Sequence, residues 1–256
     1  MKIIYGPVAS WRLGKSLGID LICSASKICS FNCIYCQLEK TEKITTEREK
    51  FVPNHEIEKE IKYALKNTKP DVLTLSGMGE PTLAKNLQDT INVIRKNTNL
   101  PIAILTNSTF LGDKNVQNAL KNIDIIVAKL DASNEELFKK INQPAKNLSF
   151  KKTLEGIKEM KENFDGKFAL QIMFIDENKD YADEIAKIAR EINPDEVQIN
   201  TPLRPCPVKP LPKEELDEIV KKFSGLNVIS VYHSEKPQTD PLDKVDLLKR
   251  RREELE

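Results

Sequence analysis

Cys29-Ser-Phe-Asn-Cys33-Ile-Tyr-Cys36 places three thiols at a C-x3-C-x2-C spacing. Thiolates are soft ligands, and a run this tight can wrap three of them around one face of an iron–sulfur cube. A cube has four irons, so three cysteines leave one iron open to a small chelating molecule. Two other chemistries use the same residue type. Structural zinc takes four nitrogen or sulfur ligands. The fourth would have to be Cys23, Cys206, His55 or His233, none at a finger-like spacing. A disulfide framework belongs to short secreted chains, whereas this chain has 256 residues and its opening Met-Lys-Ile-Ile-Tyr-Gly-Pro lacks a signal-peptide core.

A second constellation is Gly77-Met78-Gly79-Glu80-Pro81, directly after the apolar run Val72 to Ser76. Glycines behind a strand let backbone amides and carbonyls face a ligand. Glu80 can accept charge-assisted hydrogen bonds from a cationic amino group. The plain alternative is a carboxylate favoured by the dipole at a helix N-terminus.

The elements that must position these groups follow an alternating pattern. Strands are expected at Ile19 to Ile22, Val72 to Ser76, Ile102 to Leu105, Asp124 to Leu130, Phe168 to Phe174 and Glu196 to Asn200, with a short last one at Val228 to Val231. Between them run helical stripes such as Ile57/Ile61/Ala64/Leu65 and Ile185/Ile188/Ala189/Ile192. Six βα units in series predict an α/β fold with parallel strands, a six-stranded partial (βα)6 barrel of TIM type. Residues 1–232 form one domain on this reading, including a glycine-bearing basic segment from Tyr5 to Gly18. Residues 233–256 are a polar extension, either a terminal helix on Val245, Leu248 and Leu255 or a frayed tail.

Loops after parallel barrel strands gather at one end, which carries the chemistry. Here those loops hold the cysteines, Gly-Met-Gly-Glu, Thr106-Asn107-Ser108, Lys129-Leu130-Asp131, Asp176-Glu177-Asn178 and Asn200-Thr201-Pro202-Leu203-Arg204. Six polar endings in series around one cysteine motif read as a pocket.

Composition bounds the alternatives. Lys plus Arg total 40 and Asp plus Glu 39, a net charge of +1, which supplies no global attraction to nucleic acid. No apolar run reaches the ~20 residues of a membrane span. Five cysteines and no leader fit a reducing, cytoplasmic setting. Only two histidines weaken a general-base hydrolase reading. An electron-carrying iron–sulfur protein would use four cysteines and have no need of Glu80. A zinc-stabilised binding module would be colourless and redox-silent.

The cysteine motif with Tyr35 before its third cysteine, followed by Gly-x-Gly-Glu-Pro after a strand, resembles the radical S-adenosylmethionine (SAM) superfamily over about residues 16 to 232. Gly6-Pro-Val-Ala-Ser-Trp-Arg-Leu-Gly-Lys-Ser-Leu-Gly18, Leu130-Asp-Ala and Val197 to Pro205 look like its wyosine-synthase-related Fe–S oxidoreductase group. The resemblance implies a [4Fe–4S] cluster on Cys29, Cys33 and Cys36 and a SAM molecule chelating the fourth iron. Its methionine end would meet Gly77, Met78, Gly79 and Glu80, and Tyr35 would lie near the adenine. Asn107 and Asp131 would serve the carboxylate or ribose, and Gln171, Gln198, Asn200 and Arg204 would face substrate or adenine. Cys206, in a proline-rich loop, is a candidate extra ligand or hydrogen-atom donor, with Arg204 beside it. The electron would come from a donor such as ferredoxin or flavodoxin. The substrate implied is tRNA or, alternatively, a small anionic molecule, a peptide or a partner protein. Archaeal wyosine synthases carry a second three-cysteine site near the N-terminus; here only Cys23 precedes Cys29. Basic candidates for a nucleic-acid site are Arg12, Lys15, Lys27, Arg204 and Lys249 to Arg252.

Overall fold

The computed structural model describes residues 1–251. Strands β1 (Ile4–Ser10) and β2 (Gly14–Ile19) come first. Two-residue strands β3 (Ile28–Cys29) and β4 (Lys43–Ile44) pair with each other beside the main sheet. The chain continues α1 (Asn54–Asn67), β5 (Val72–Leu75), α2 (Leu87–Asn97), β6 (Ile102–Thr106), α3 (Lys114–Leu120) and β7 (Ile125–Lys129). Then come α4 (Glu135–Asn142), α5 (Phe150–Glu162), β8 (Lys167–Met173), α6 (Ala182–Ile192), β9 (Glu196–Asn200), α7 (Lys213–Lys222), β10 (Val228–Ser230) and α8 (Lys244–Arg250).

The main sheet has eight strands in the order β1-β2-β5-β6-β7-β8-β9-β10. Every neighbouring pair is parallel except β1–β2. The six parallel strands expected from the sequence are β2 and β5 to β9, and the first of them lies earlier than expected. Ile19 ends β2 rather than starting a strand, and the segment read as a basic entry loop is the β1–β2 hairpin. Its glycines hide the strand pattern. Gly6 and Gly14 have positive φ, and a Cβ on Gly18 would stand 2.1 Å from the Tyr5 ring. An antiparallel β1 on one edge and β10 on the other bring the count to eight.

The sheet curls without closing, since β1 and β10 are not paired. Side chains alternate along each strand. The outward set (Leu73, Leu75, Ile104, Ile126, Phe168, Leu170, Val197, Ile199) is buried under the helices in one apolar core. The inward set is polar: Ser16, Thr74, Lys129, Gln171 and Asn200 line a common cavity.

The C-terminal segment is the terminal helix α8, and not through the apolar residues expected. Val245 is 70% exposed, while Asp246 and Arg250 are buried. Arg250 Nη1 donates to Asp246 Oδ2 (2.5 Å) and Arg250 Nε to Asp20 Oδ2 (3.2 Å), fastening the helix to the end of β2. Leu255 and Arg252 lie outside the described residues. Among the described residues no helix is long and apolar enough to cross a membrane.

Candidate active site

The cysteine loop is positioned by the glycine loop. Ile28 N donates to Met78 O (3.1 Å) and Glu80 N to Ile28 O (3.3 Å), a short parallel bridge that sets Cys29 beside Gly79. Gly79 permits this approach: its φ is +152°, and a Cβ there would stand 1.6 Å from Ile28 O. A Cβ on Gly77 would stand 2.1 Å from the Asp20 carboxyl carbon. The two glycines therefore clamp chain to chain, with Gly77 and Gly79 also lining the cavity.

Cys29 is buried and Cys33 and Cys36 are half-buried. All three act electrostatically on Lys27, itself buried, whose ammonium donates to Glu39 O (3.4 Å). Burial works to lower the Lys27 pKa, but Cys36, Cys29 and Cys33 together raise it. Asn107 Nδ2 approaches Cys29 Sγ and Asn142 Nδ2 approaches Cys33 Sγ, each at 3.5 Å. Burial pushes the Cys29 thiol up to about 12, with Lys27 opposing. Among the described residues no three His, Cys, Asp or Glu side chains meet around one ion-sized point. The donor set is three sulfurs acting on one cation, two of them with amide donors. A cluster distributes its thiolates over different irons and is tuned by hydrogen bonds to sulfur, so these residues fit one.

Two buried carboxylates brace this end. Glu80, 2% exposed, caps the turn at Pro81–Leu83. Its Oε1 accepts from Thr82 N (3.1 Å), Thr82 Oγ1 (2.6 Å) and Thr106 Oγ1 (2.7 Å), and its Oε2 from Asn107 N (2.7 Å). Burial raises its pKa despite these bonds. Asp131 accepts from Tyr35 Oη and Asn142 Nδ2 (3.0 Å) on Oδ2, and from Met173 N (2.8 Å) on Oδ1. Lys129 Nζ lies 3.5 Å from Asp131 Oδ1, donates to Gln171 Oε1 (3.1 Å) and sits 4.8 Å above the Tyr35 ring.

The cavity on the concave side has a volume of about 310 Å³. Of the residues nominated from sequence, Tyr35, Cys36, Gly77, Gly79, Gln171, Asn200 and Arg204 line it. Met78 and Glu80 are buried beside it, engaged with Ile28 and with the threonines. Asn107 and Asp131 line a separate pocket of only about 10 Å³. Gln198 is buried on the inward face of β9, with Nε2 donating to Glu196 Oε1 (2.8 Å). Cys206 is half-buried against the same apolar group as Cys29 and Cys33, and its Sγ donates to Val208 O (3.2 Å). Cys23 N donates to Asp20 Oδ1 (2.9 Å), and its Sγ lies 3.6 Å from Met1 O. Sequence reasoning missed Asn142, named Lys129 only as part of a strand ending, and named Arg250 only as part of a basic tail. Lys129 was legible as a polar residue at a strand end; Asn142 and Arg250 reach the site only through the fold.

A model of the radical SAM superfamily matches residues 24–189. A UPF0026 protein of Methanocaldococcus jannaschii is 37% identical over 235 residues, covering 90% of this chain and 72% of that protein. A Brachyspira hyodysenteriae protein named GTPase Obg is 37% identical over 96% of this chain, which spans only 38% of its length. Among solved structures, SuiB of Streptococcus suis bound to S-adenosylmethionine superposes with a TM-score of 0.66 at 15% identity, covering 85% of this chain and 50% of that one. The matched span contains all three cysteines, the glycine loop and the strand β5 before it, and on that ground the chain belongs to the radical SAM superfamily of enzymes, among the UPF0026 proteins.

Proposed function

We propose that Cys29, Cys33 and Cys36 hold a [4Fe–4S] cluster and that the cavity beside them receives SAM and a small anionic substrate. When bound, a reduced cluster supplies the electron that splits SAM into methionine and a 5′-deoxyadenosyl radical able to take a hydrogen atom from substrate. The chain's residues bind, orient and shield. Asn107 and Asn142 direct amide hydrogens at two of the sulfurs. Gly77 and Gly79 keep the cavity wall free of side chains next to Cys36, where SAM must lie. Lys129 and Gln171 present a polar floor, and the apolar outer layer keeps water from the back of the sheet. Met78, Glu80, Asn107 and Asp131 act from behind the wall by fixing its shape. The electron enters from a ferredoxin- or flavodoxin-type donor in a reducing, cytoplasmic setting.

One observation carries this reading: of three buried or half-buried sulfurs in one short loop, Cys36 lines a polar cavity on the concave side of a parallel sheet. The test is anaerobic reconstitution followed by measurement of 5′-deoxyadenosine. Absence of both visible cluster absorbance and SAM cleavage in the wild-type chain would remove the reading.

The likeness to wyosine-synthase-related proteins suggests tRNA as the alternative substrate. A tRNA site must neutralise several phosphates from the surface. Several of the basic residues nominated for it turn inward instead. Arg12 and Arg204 line the cavity and Lys27 is buried among the cysteines; Lys249 is exposed. This placement favours a small anionic molecule. Tight tRNA binding at ~50 mM salt that weakens steeply as salt rises would reverse the preference.

A further inference from the structure

We infer that the part of the cavity at the β1–β2 turn is an anion subsite, where Arg12 holds a carboxylate or phosphate group of the substrate away from the cysteine loop. This rests on the reading that the cavity is the substrate chamber of a radical SAM enzyme. It adds where the charge of the substrate sits and which residues select it.

The placement follows from strand direction. β2 runs parallel to β5, and the cysteine loop follows its C-terminal end at Ile19, whereas Arg12 precedes its N-terminal end at Gly14. Five steps along a strand span about 16 Å. One cavity nevertheless touches Arg12 and Trp11 as well as Cys36 and Gly77. SAM has a single carboxylate, which by the resemblance would help chelate the fourth iron beside the cysteines. An anion held at Arg12 therefore belongs to a second molecule.

Arg12 is an incomplete site. Its Nε is buried without a hydrogen-bond partner, although buried polar groups are almost always paired. The guanidinium lies 5.4 Å from the Trp11 ring centre, which supports it without supplying an acceptor. Burial first, and Arg204 second, push its pKa down to about 10, with Glu196 opposing. Glu196 is already engaged by Lys167 Nζ and Gln198 Nε2, both at 2.8 Å. Arg204 lines the same cavity, and the forked donors of the Arg12 guanidinium match carboxylate and phosphate oxygens.

The test uses the full reconstituted chain and two probes at fixed ionic strength in chloride: inorganic pyrophosphate for the phosphate source and succinate for the carboxylate source. Calorimetry should show the wild type binding at least one, and the preferred probe identifies the source. Arg12→Gln should weaken that binding at least 10-fold, the loss of one charge-assisted hydrogen bond. Without any probe, Arg12→Gln should melt at or above the wild-type temperature, since it removes a buried, repelled charge. Arg12→Lys, which keeps the charge and loses the fork, should bind with intermediate affinity and serves if the glutamine variant aggregates. The inference is overturned if neither probe binds the wild type, if binding is equal in wild type and variants, or if Arg12→Gln melts well below the wild type. None of these readouts involves SAM. A chain that binds anions through Arg12 but never cleaves SAM would sink the radical reading and leave the anion subsite standing.

Discussion

At the cysteine end of the cavity the buried carboxylates of Glu80 and Asp131 and the amides of Asn107 and Asn142 all have protein partners, whereas at the β1–β2 turn the Arg12 Nε has none. One end keeps its geometry with protein atoms alone. The other is left with unmet polar capacity on the same inward face. The difference separates a scaffold for a resident group from a receptor for a molecule that comes and goes. Saturated networks rigidify, and an unsatisfied buried group destabilises until a ligand completes it.

The comparison can be broken most severely at the sulfurs. Cys33→Ala should abolish the visible cluster absorbance and all 5′-deoxyadenosine formation; normal SAM cleavage in that variant would sink the cluster assignment. Next comes the brace. Asp131→Ala leaves Tyr35 Oη, Asn142 Nδ2, Met173 N and Lys129 without their common acceptor. It should lower unfolding free energy by about 3–5 kcal/mol, the cost of breaking a buried charged network. A change under about 1 kcal/mol by urea denaturation would show that the cysteine end is not braced as described.

Glu80→Gln asks whether Glu80 acts on SAM or on the wall. Loss of charge-assisted bonds to Thr82, Thr106 and Asn107 should destabilise by about 1.5–3 kcal/mol, with weaker SAM binding as its consequence. Weaker SAM binding at unchanged stability would instead indicate a direct contact. The pH dependence sharpens the point. Burial raises the Glu80 pKa above its ordinary 4.5. Between the two values the folded state binds more protons than the unfolded one. The proton-linked part of the Glu80 contribution is therefore fully present below 4.5 and lost as pH rises through the raised value, while the hydrogen bonds from Thr82, Thr106 and Asn107 remain. The stability advantage of the wild type over Glu80→Gln should shrink as pH is raised from 4.5, and an advantage that grows instead would contradict the raised pKa. The smallest effect is expected at Cys206. Cys206→Ala should leave the cluster absorbance intact and shift stability by less than about 1 kcal/mol; loss of absorbance would make Cys206 a ligand.

Local spacing alone determined the cysteine motif, the glycine loop after a strand and the six βα repeats. Ligand spacing and the periods of 2 and 3.6 are properties of a few consecutive residues, and they survive any tertiary context. The β1–β2 hairpin was not legible, because Gly6, Gly14 and Gly18 interrupt the alternation that marks a strand. Their necessity appears only when Tyr5 is seen lying over Gly18. Glu80 and Asp131 were legible as polar residues at strand ends but not as groups already satisfied by their neighbours. That depends on Thr106 lying 26 residues from Glu80 and Tyr35 lying 96 from Asp131. The fastening of Arg250 to Asp20, across 230 residues, has no local signature. Neither does the meeting of Arg12 and Arg204 in the lining of one cavity. The sequence by itself determined which chemistry the chain can hold, since that is written in residue types a few positions apart. The tertiary structure decided which polar groups are spent on the scaffold and which are left for a ligand, since burial and pairing come from segments that meet only when the sheet curls.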